Sequence, residues 1–276
     1  MSWKVSPTMA WNESIWNPSM IQTALWLDGS DNTTIFSDAG ITRATNGAAV
    51  QQWNDKSGNN RHVTQATAGN CPSFTTNSLN GRSGITFADA SRWLLGAVAD
   101  ESAFDYTSTL YLFFVGAIAS NSQDNVFINK GRGTFGAIGW YASISTGGAS
   151  ITGVTSSASV SGLSTSSIPE NSSLILSWEI NGATVRARKN GTTDSTTVVG
   201  KASWIAGVNN ETLAIGAYVT SSVTSNYQGV MQQIILMSSV PTFETVQKLE
   251  GWAAHYYGLE SNLPNDHPYK TVGPTP

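Results

Sequence analysis

Between residues 21 and 239, apolar positions alternate with polar ones over short stretches, and Gly, Asn, Asp and Ser separate the stretches. Alternation with a period of two, bounded by turn residues, predicts β-strands with one buried face. The clearest run places Leu174, Leu176, Trp178 and Ile180 on one face, with Ile175, Ser177 and Glu179 on the other. Asn181-Gly182 follows it and precedes a second run over residues 183–188. An Asn-Gly pair supplies the two positive-φ positions of a type I′ turn, so a hairpin is predicted there. Asn190-Gly191 marks the next turn. Further strands are predicted over 110–118, 125–129, 135–144, 212–219 and 228–237. Residues 146–173 are rich in Ser, Thr and Gly, but Ile151, Val154, Val160, Leu163 and Ile168 recur among them. That segment reads as polar strands and loops of the same domain.

The pattern changes twice. Over 242–257 it predicts a helix: Thr242 as N-cap after Pro241, Glu244 in the first turn, and Val246, Leu249, Ala253 and Tyr256 on one face. Gly258 is placed to end it. Residues 263–269 must then be extended, because Pro264 and Pro268 force their predecessors out of the α region. Residues 1–20 read as an N-terminal arm without period, in which Trp3, Trp11 and Trp16 are separated by polar residues and by Pro7 and Pro18. Three indoles on a free tail are an aggregation hazard. They are expected to dock, either on their own domain or on a partner as an assembly anchor. The division is therefore an arm (1–20), a sandwich domain that includes the helix (21–272) and a short tail (273–276).

Composition narrows the class. The 276 residues include 26 glycines and ten tryptophans, and only 12% are charged. That length suits one large all-β domain. A net charge of −4 argues against a nucleic-acid partner, which calls for a basic stripe. The single cysteine, Cys71, forms no intrachain disulfide, so the chain either folds in a reducing compartment or does not depend on oxidation for stability. Met1 to Pro7 lack the apolar core of a secretory signal, and the most apolar run, 110–119, is half the roughly 20 residues of a spanning helix. The expectation is a soluble protein made in the cytosol, without membrane insertion.

A search for chemistry returns little. His62, His255 and His267 have no partners at metal-ligand spacing, so no zinc or redox metal, and no cofactor, is expected. His255 late in the helix complements its dipole, and Cys71 before Pro72 reads as a spectator. Glycoside hydrolysis needs two carboxylates across a cleft. Glu179 stands alone on its strand, and Asp100, Glu101 and Asp105 read as loop residues. No nucleophile elbow, phosphate loop or dinucleotide fingerprint is present. For calcium, Asp28, Asp31, Asn32 and Asp38 are close in sequence, as are Asp124 and Asn125, but turn chemistry accounts for both groups and no calcium motif supports them. Aromatic residues are the remaining lead. Trp140-Tyr141, Trp93 and Trp204 lie among Asn, Ser and Thr, the mix of a glycan-binding surface, although Trp in a sandwich also serves as core.

Two stretches carry a resemblance. Trp53-Asn54-Asp55-Lys56-Ser57-Gly58, with Gln65 seven residues further on, resembles the W-x-D-x-S-G-x₆-Q segment of concanavalin A-like (laminin-G-like) jelly-roll domains of bacterial and phage proteins. Pro72, Leu79-Asn80-Gly81-Arg82 and Ile85-Thr86-Phe87 follow as that pattern expects. Tyr227-Gln228-Gly229, Ile234-Ile235-Leu236, Trp252, Tyr257-Gly258-Leu259, Leu263-Pro264 and His267-Pro268-Tyr269 also resemble the family, over roughly residues 24–272. The resemblance implies an all-β, antiparallel jelly-roll sandwich with one C-terminal helix. Physically the motif reads as architecture, with Trp53 anchoring a strand while Asp55, Ser57 and Gly58 build a side-chain-bonded turn. Glycosidases of the related fold carry a Glu-x-Asp-x-Glu-like strand, which is not found here. The leading expectation is a non-enzymatic phage virion protein (decoration, neck, tail or fibre). Its partners would be other virion proteins, copies of itself and, weakly, host cell-surface glycans. The alternatives are a bacterial carbohydrate-binding module or adhesin, and then a glycan-degrading enzyme.

Overall fold

The computed structural model describes residues 15–89, 91–106, 108–120, 125–131, 139–145, 147–154, 159–161, 166–198, 211–219, 223–224 and 226–276. The alternating runs form two large antiparallel sheets. The first has eight strands, in the order Thr192–Val198, Thr184–Lys189, Leu174–Asn181, Thr109–Ile118, Gly229–Met237, Arg82–Phe87 and Ser73–Leu79. Its eighth strand, Leu25–Asp28, pairs with the second half of Gly229–Met237, from Leu25 opposite Leu236 to Asp28 opposite Gln233. The second sheet has nine strands. In order they are Ser159–Ser161, Gly148–Val154, Gly139–Ser145, Asn125–Lys130, Leu213–Ile215, Leu94–Leu95, Val63–Thr64, Gln52–Trp53 and Ile35–Phe36. A two-stranded ribbon, Tyr218–Val219 with Val223–Thr224, stands apart from both.

The sheets face each other across one core, and the helix builds a second. Leu110, Leu112, Phe114 and Ile118 point into the sandwich with Leu174, Leu176, Trp178 and Ile180. From the same strand, Tyr111, Phe113 and Val115 point the other way, against Val246, Leu249, Ala253 and Tyr257 of the helix. The strand Thr109–Ile118 is therefore buried on both faces, as its run of apolar residues at almost every position requires.

Local chemistry fixes the ends of these elements. Thr242 caps the helix Phe243–Tyr257 by accepting a hydrogen bond from the Thr245 amide at 3.2 Å. Gly258 ends it in the left-handed region at φ 65°. The second hairpin turn forms as expected, with Asn190 and Gly191 at φ 50° and 82° between the paired Lys189 and Thr192. The first shifts by one residue. Asn181 pairs with Thr184, leaving Gly182-Ala183 as the loop with only Gly182 at positive φ. That is the signature of a type II′ turn, in which glycine takes the first loop position. The predicted strand over 212–219 divides into Leu213–Ile215 and Tyr218–Val219 around Gly216 at φ 86°.

The arm also differs from its expected form. Trp3 and Trp11 lie outside the described residues. Trp16 does not project: it is 5% exposed and belongs to the helix-side core with Trp26 and Trp252. Its amide donates to the Pro274 carbonyl at 3.1 Å, so the end of the chain overlies the start of the domain. Burial of an indole against a helix outweighs the freedom of a tail, and the assembly-anchor role assigned to Trp16 is corrected to a packing role. The last residues form a strap across the helix. Tyr269 comes within 2.4 Å of where a Cβ on Gly251 would sit, so only glycine lets it lie against the helix. No helix among the described residues is long and apolar enough to cross a membrane.

Trp16→Ala is expected to destabilise the protein by about 3–5 kcal/mol, read from the free energy of urea unfolding. A change under about 1 kcal/mol would show that the indole is not part of the core.

Candidate functional site

The motif that carries the resemblance is a hub of hydrogen bonds. Trp53 is fully buried in the sandwich core. Asp55 accepts from the Trp26 and Ser57 amides on one oxygen, both at 2.9 Å. Its other oxygen accepts from the Ser57 hydroxyl at 2.6 Å and the Arg61 amide at 3.1 Å. Gly58 turns the chain at φ 86°. Lys56 leaves this turn to bridge Asp28 (2.9 Å) and Asp31 (2.8 Å) and lies 4.5 Å from the centre of the Trp26 ring. Burial alone would lower the Lys56 pKa, but the two carboxylates raise it above the ordinary value. Burial works on Asp31 in the opposite sense, and hydrogen bonds from Lys56 and Thr33 hold it below the usual carboxylate range. An ammonium thus stands between the two aspartates considered for calcium. Asp38 accepts from the Ile41 and Thr42 amides of its own turn, and Asp124 lies outside the described residues. Among the described residues, no group of three or more His, Cys, Asp or Glu is arranged to hold a metal ion.

The other charged groups are built into the fold as well. Arg188 forks onto Glu250 at 2.7 and 3.0 Å, both side chains buried, and His267 approaches the same carboxylate at 3.3 Å. This cluster ties sheet, helix and strap together. Glu179, alone on its strand, pairs with Arg186 across the hairpin at 2.6 Å. His255 lies in the last helical turn and meets the Tyr269 carbonyl at 2.9 Å. Burial pushes the Cys71 thiol up against a smaller opposing pull from Arg92.

The aromatic candidates separate. Trp140 is 1% exposed, stacks near Tyr106 and donates its indole N–H to the Phe104 carbonyl at 3.1 Å. It is core and offers no face to a ligand, which corrects its assignment as a sugar contact. The alternation of a strand explains the pair: Trp140 points inward, so Tyr141 points outward. Tyr141 is half-buried on the outer face of the nine-stranded sheet, where it lies across from Asn129 and Thr152 on the neighbouring strands. Tyr218, from the two-stranded ribbon, meets its ring edge-to-face at 5.1 Å. Burial, and then Tyr141, raise the Tyr218 pKa, so its hydroxyl stays protonated. The sequence reading missed Tyr218 because it lay inside a run taken as one strand. Trp93 is half-buried beside Leu94–Leu95, with its amide bonded to the Asn70 carbonyl and its carbonyl to Gln65. Trp204 lies outside the described residues, so the structure brings Tyr141 together with Tyr218 but not with Trp93.

Asn129 and Thr152 are themselves buried, with Asn129 donating to the Gly131 carbonyl at 3.0 Å and accepting from the Val219 amide at 3.3 Å, so the half-buried tyrosine rings are what the site offers to the apolar face of a sugar. The architecture around it is an antiparallel jelly-roll β-sandwich. No protein family profile matches the chain, and no curated protein matches it in sequence. Solved structures do match. The sialidase of Trypanosoma rangeli in complex with sialic acid is 11% identical with a TM-score of 0.53, over 82% of this chain and 32% of that one. A GH54 α-L-arabinofuranosidase soaked with a cyclic sulfate inhibitor is 12% identical with a TM-score of 0.54, over 83% and 61%. The CBM40 of Ruminococcus gnavus IT-sialidase bound to α2,3-sialyllactose is 11% identical with a TM-score of 0.48, over 59% and 92%. The chain spans about a third of the sialidase and less than two thirds of the arabinofuranosidase, and at these identities the likeness is one of fold.

Proposed function

We propose that this protein is a non-catalytic carbohydrate-binding sandwich that presents the Tyr141–Tyr218 pair to a glycan. The observation that carries this reading is that pair, half-buried and in edge-to-face contact on the outer face of the nine-stranded sheet. The outer face of the other sheet is covered by helix and strap. The occurrence of the same fold in a sialidase seen with sialic acid and in an arabinofuranosidase supports a sugar ligand. The use of Asp28, Asp31, Asp55, Glu179 and Glu250 in structural bonds supports binding without hydrolysis.

One observation favours a second, compatible reading as the outward part of a phage virion, alongside other virion proteins and copies of itself. Trp16 and Pro274 meet on the helix side, opposite the tyrosine pair. A domain held to a particle by residues 1–14 would turn its glycan face outward, and many copies would convert weak sugar affinity into avidity.

On a glycan array, the full chain should be retained and Tyr141→Ala should lose at least tenfold in retention, with its melting temperature within about 2 °C of the parent. Trp140→Ala is the contrast, destabilised by about 3–5 kcal/mol as a core truncation. No retention of the full chain, or unchanged retention of Tyr141→Ala, would overturn the reading. For the virion role, the full chain should sediment as a larger assembly than one starting at residue 15, and equal masses would count against it.

A further inference from the structure

We infer that a second surface, the cleft beside Arg92, is a subsite for one neutral pyranose ring. The inference rests on the carbohydrate-binding reading and supplies the class of sugar. The cleft opens at the edge of the eight-stranded sheet, where loops around residues 47–49, 68–72 and 88–92 meet the strand Ser73–Leu79. Ala49 bridges Ser73, and the Gly47 amide donates to the Phe74 carbonyl at 2.8 Å, so one wall is part of the fold. Arg92 fixes the other wall, donating to the carbonyls of Gly69 at 2.5 Å and Cys71 at 3.3 Å.

Size and lining select the ligand. The cleft holds about 200 Å³. That is well below the roughly 300–1,000 Å³ of drug-sized sites, so it takes one ring and not an oligosaccharide. Gly47, Ala49, Ala68 and Ala88 give it small apolar walls that let a ring approach closely. Its polar lining side chains are Arg92, Ser73 and Thr86, and Asp89 is paired with Arg92 without being part of the lining. Arg92 donates to Asp89 through Nε and Nη2, at 3.2 and 3.1 Å. With the two carbonyl bonds, four of its five N–H groups have partners among the described residues, which leaves one Nη2–H. The Asp89 carboxylate beside it is about half exposed, and hydrogen bonds from Ser91 hold it below the usual carboxylate range. The Ser73 hydroxyl adds a donor and acceptor on the opposite wall. The Arg92 donor together with the Ser73 hydroxyl matches the hydroxyls of a neutral sugar. A carboxylated sugar would instead meet an arginine already paired with Asp89, and a like charge beside it.

The test is an amide and arginine side-chain NMR titration of the full chain with the methyl glycosides of glucose, galactose and mannose, and with N-acetylneuraminic acid. At least one neutral glycoside should shift the Arg92 Nε–H and the Ser73 and Thr86 amides saturably, with N-acetylneuraminic acid at least tenfold weaker. Ala88 and Ala68 are both exposed, so Ala88→Phe and Ala68→Phe fill the mouth without disturbing the core. Each should weaken the neutral sugar at least tenfold while oligosaccharide shifts at Tyr141 persist. Neutral sugars that leave the cleft signals unmoved, bind both filled variants unchanged, or bind no better than N-acetylneuraminic acid overturn the inference. If Tyr141 still responds to oligosaccharide, only the cleft assignment falls; if no glycan moves either surface, the carbohydrate-binding reading falls with it.

Discussion

The strand Thr109–Ile118 has no face that can meet water, and the rest of the architecture answers to that constraint. Its even-numbered residues through Phe114 complete the sandwich core, so Tyr111, Phe113 and Val115 must be covered from outside. The helix supplies the cover, and Trp16 and Trp26 fill the layer beside it. Apolar contact alone leaves a helix free to slide. The Arg188–Glu250 fork removes that freedom, because two parallel hydrogen bonds from a planar guanidinium are met at one position only. Burying those charges is costly unless they are well bonded, and the Gly191 carbonyl, the Thr193 hydroxyl and His267 add further bonds, so that four of the five Arg188 N–H groups have partners among the described residues.

This arrangement divides the surface by task. The helix side is closed by packing and by the strap, where Trp16 and Pro274 meet. Among the described residues no helix covers the outer face of the nine-stranded sheet, which carries the tyrosine pair, while the Arg92 cleft opens at the edge of the eight-stranded sheet. The Asp55 hub stabilises the link between these regions. It joins the turn after Trp53 to the strand Leu25–Asp28, from which Trp26 reaches Gln233 at 2.8 Å, and Gln233 reaches Tyr257 of the helix at 2.6 Å. The motif that made the fold recognisable is thus scaffolding.

Legibility in the sequence followed the range of the physics. The alternation at Leu174–Asn181, the helix with its Thr242 and Gly258 caps, and the Asn190-Gly191 turn are local signals and were readable as such. The one-residue shift at Gly182 was not, because either loop satisfies the local glycine rule and strand register decides between them. Period-two alternation assigns opposite faces to Trp140 and Tyr141 but does not say which face is core; that depends on the opposing sheet. Trp16 read as a tail residue because its partners, Trp26 and the helix, are remote in sequence. Asp89, Arg92 and Tyr218 carried no motif, since the cleft and the tyrosine pair exist only once distant loops meet.

The central claim is that a glycan meets the surface opposite the helix layer. Hydrogen–deuterium exchange of the full chain, with and without an oligosaccharide retained on the array, tests it most directly. Added protection is expected around Tyr141 and Tyr218, and none on the helix Phe243–Tyr257 or its strap. Protection concentrated on the helix and strap, with the tyrosine pair unchanged, would contradict it.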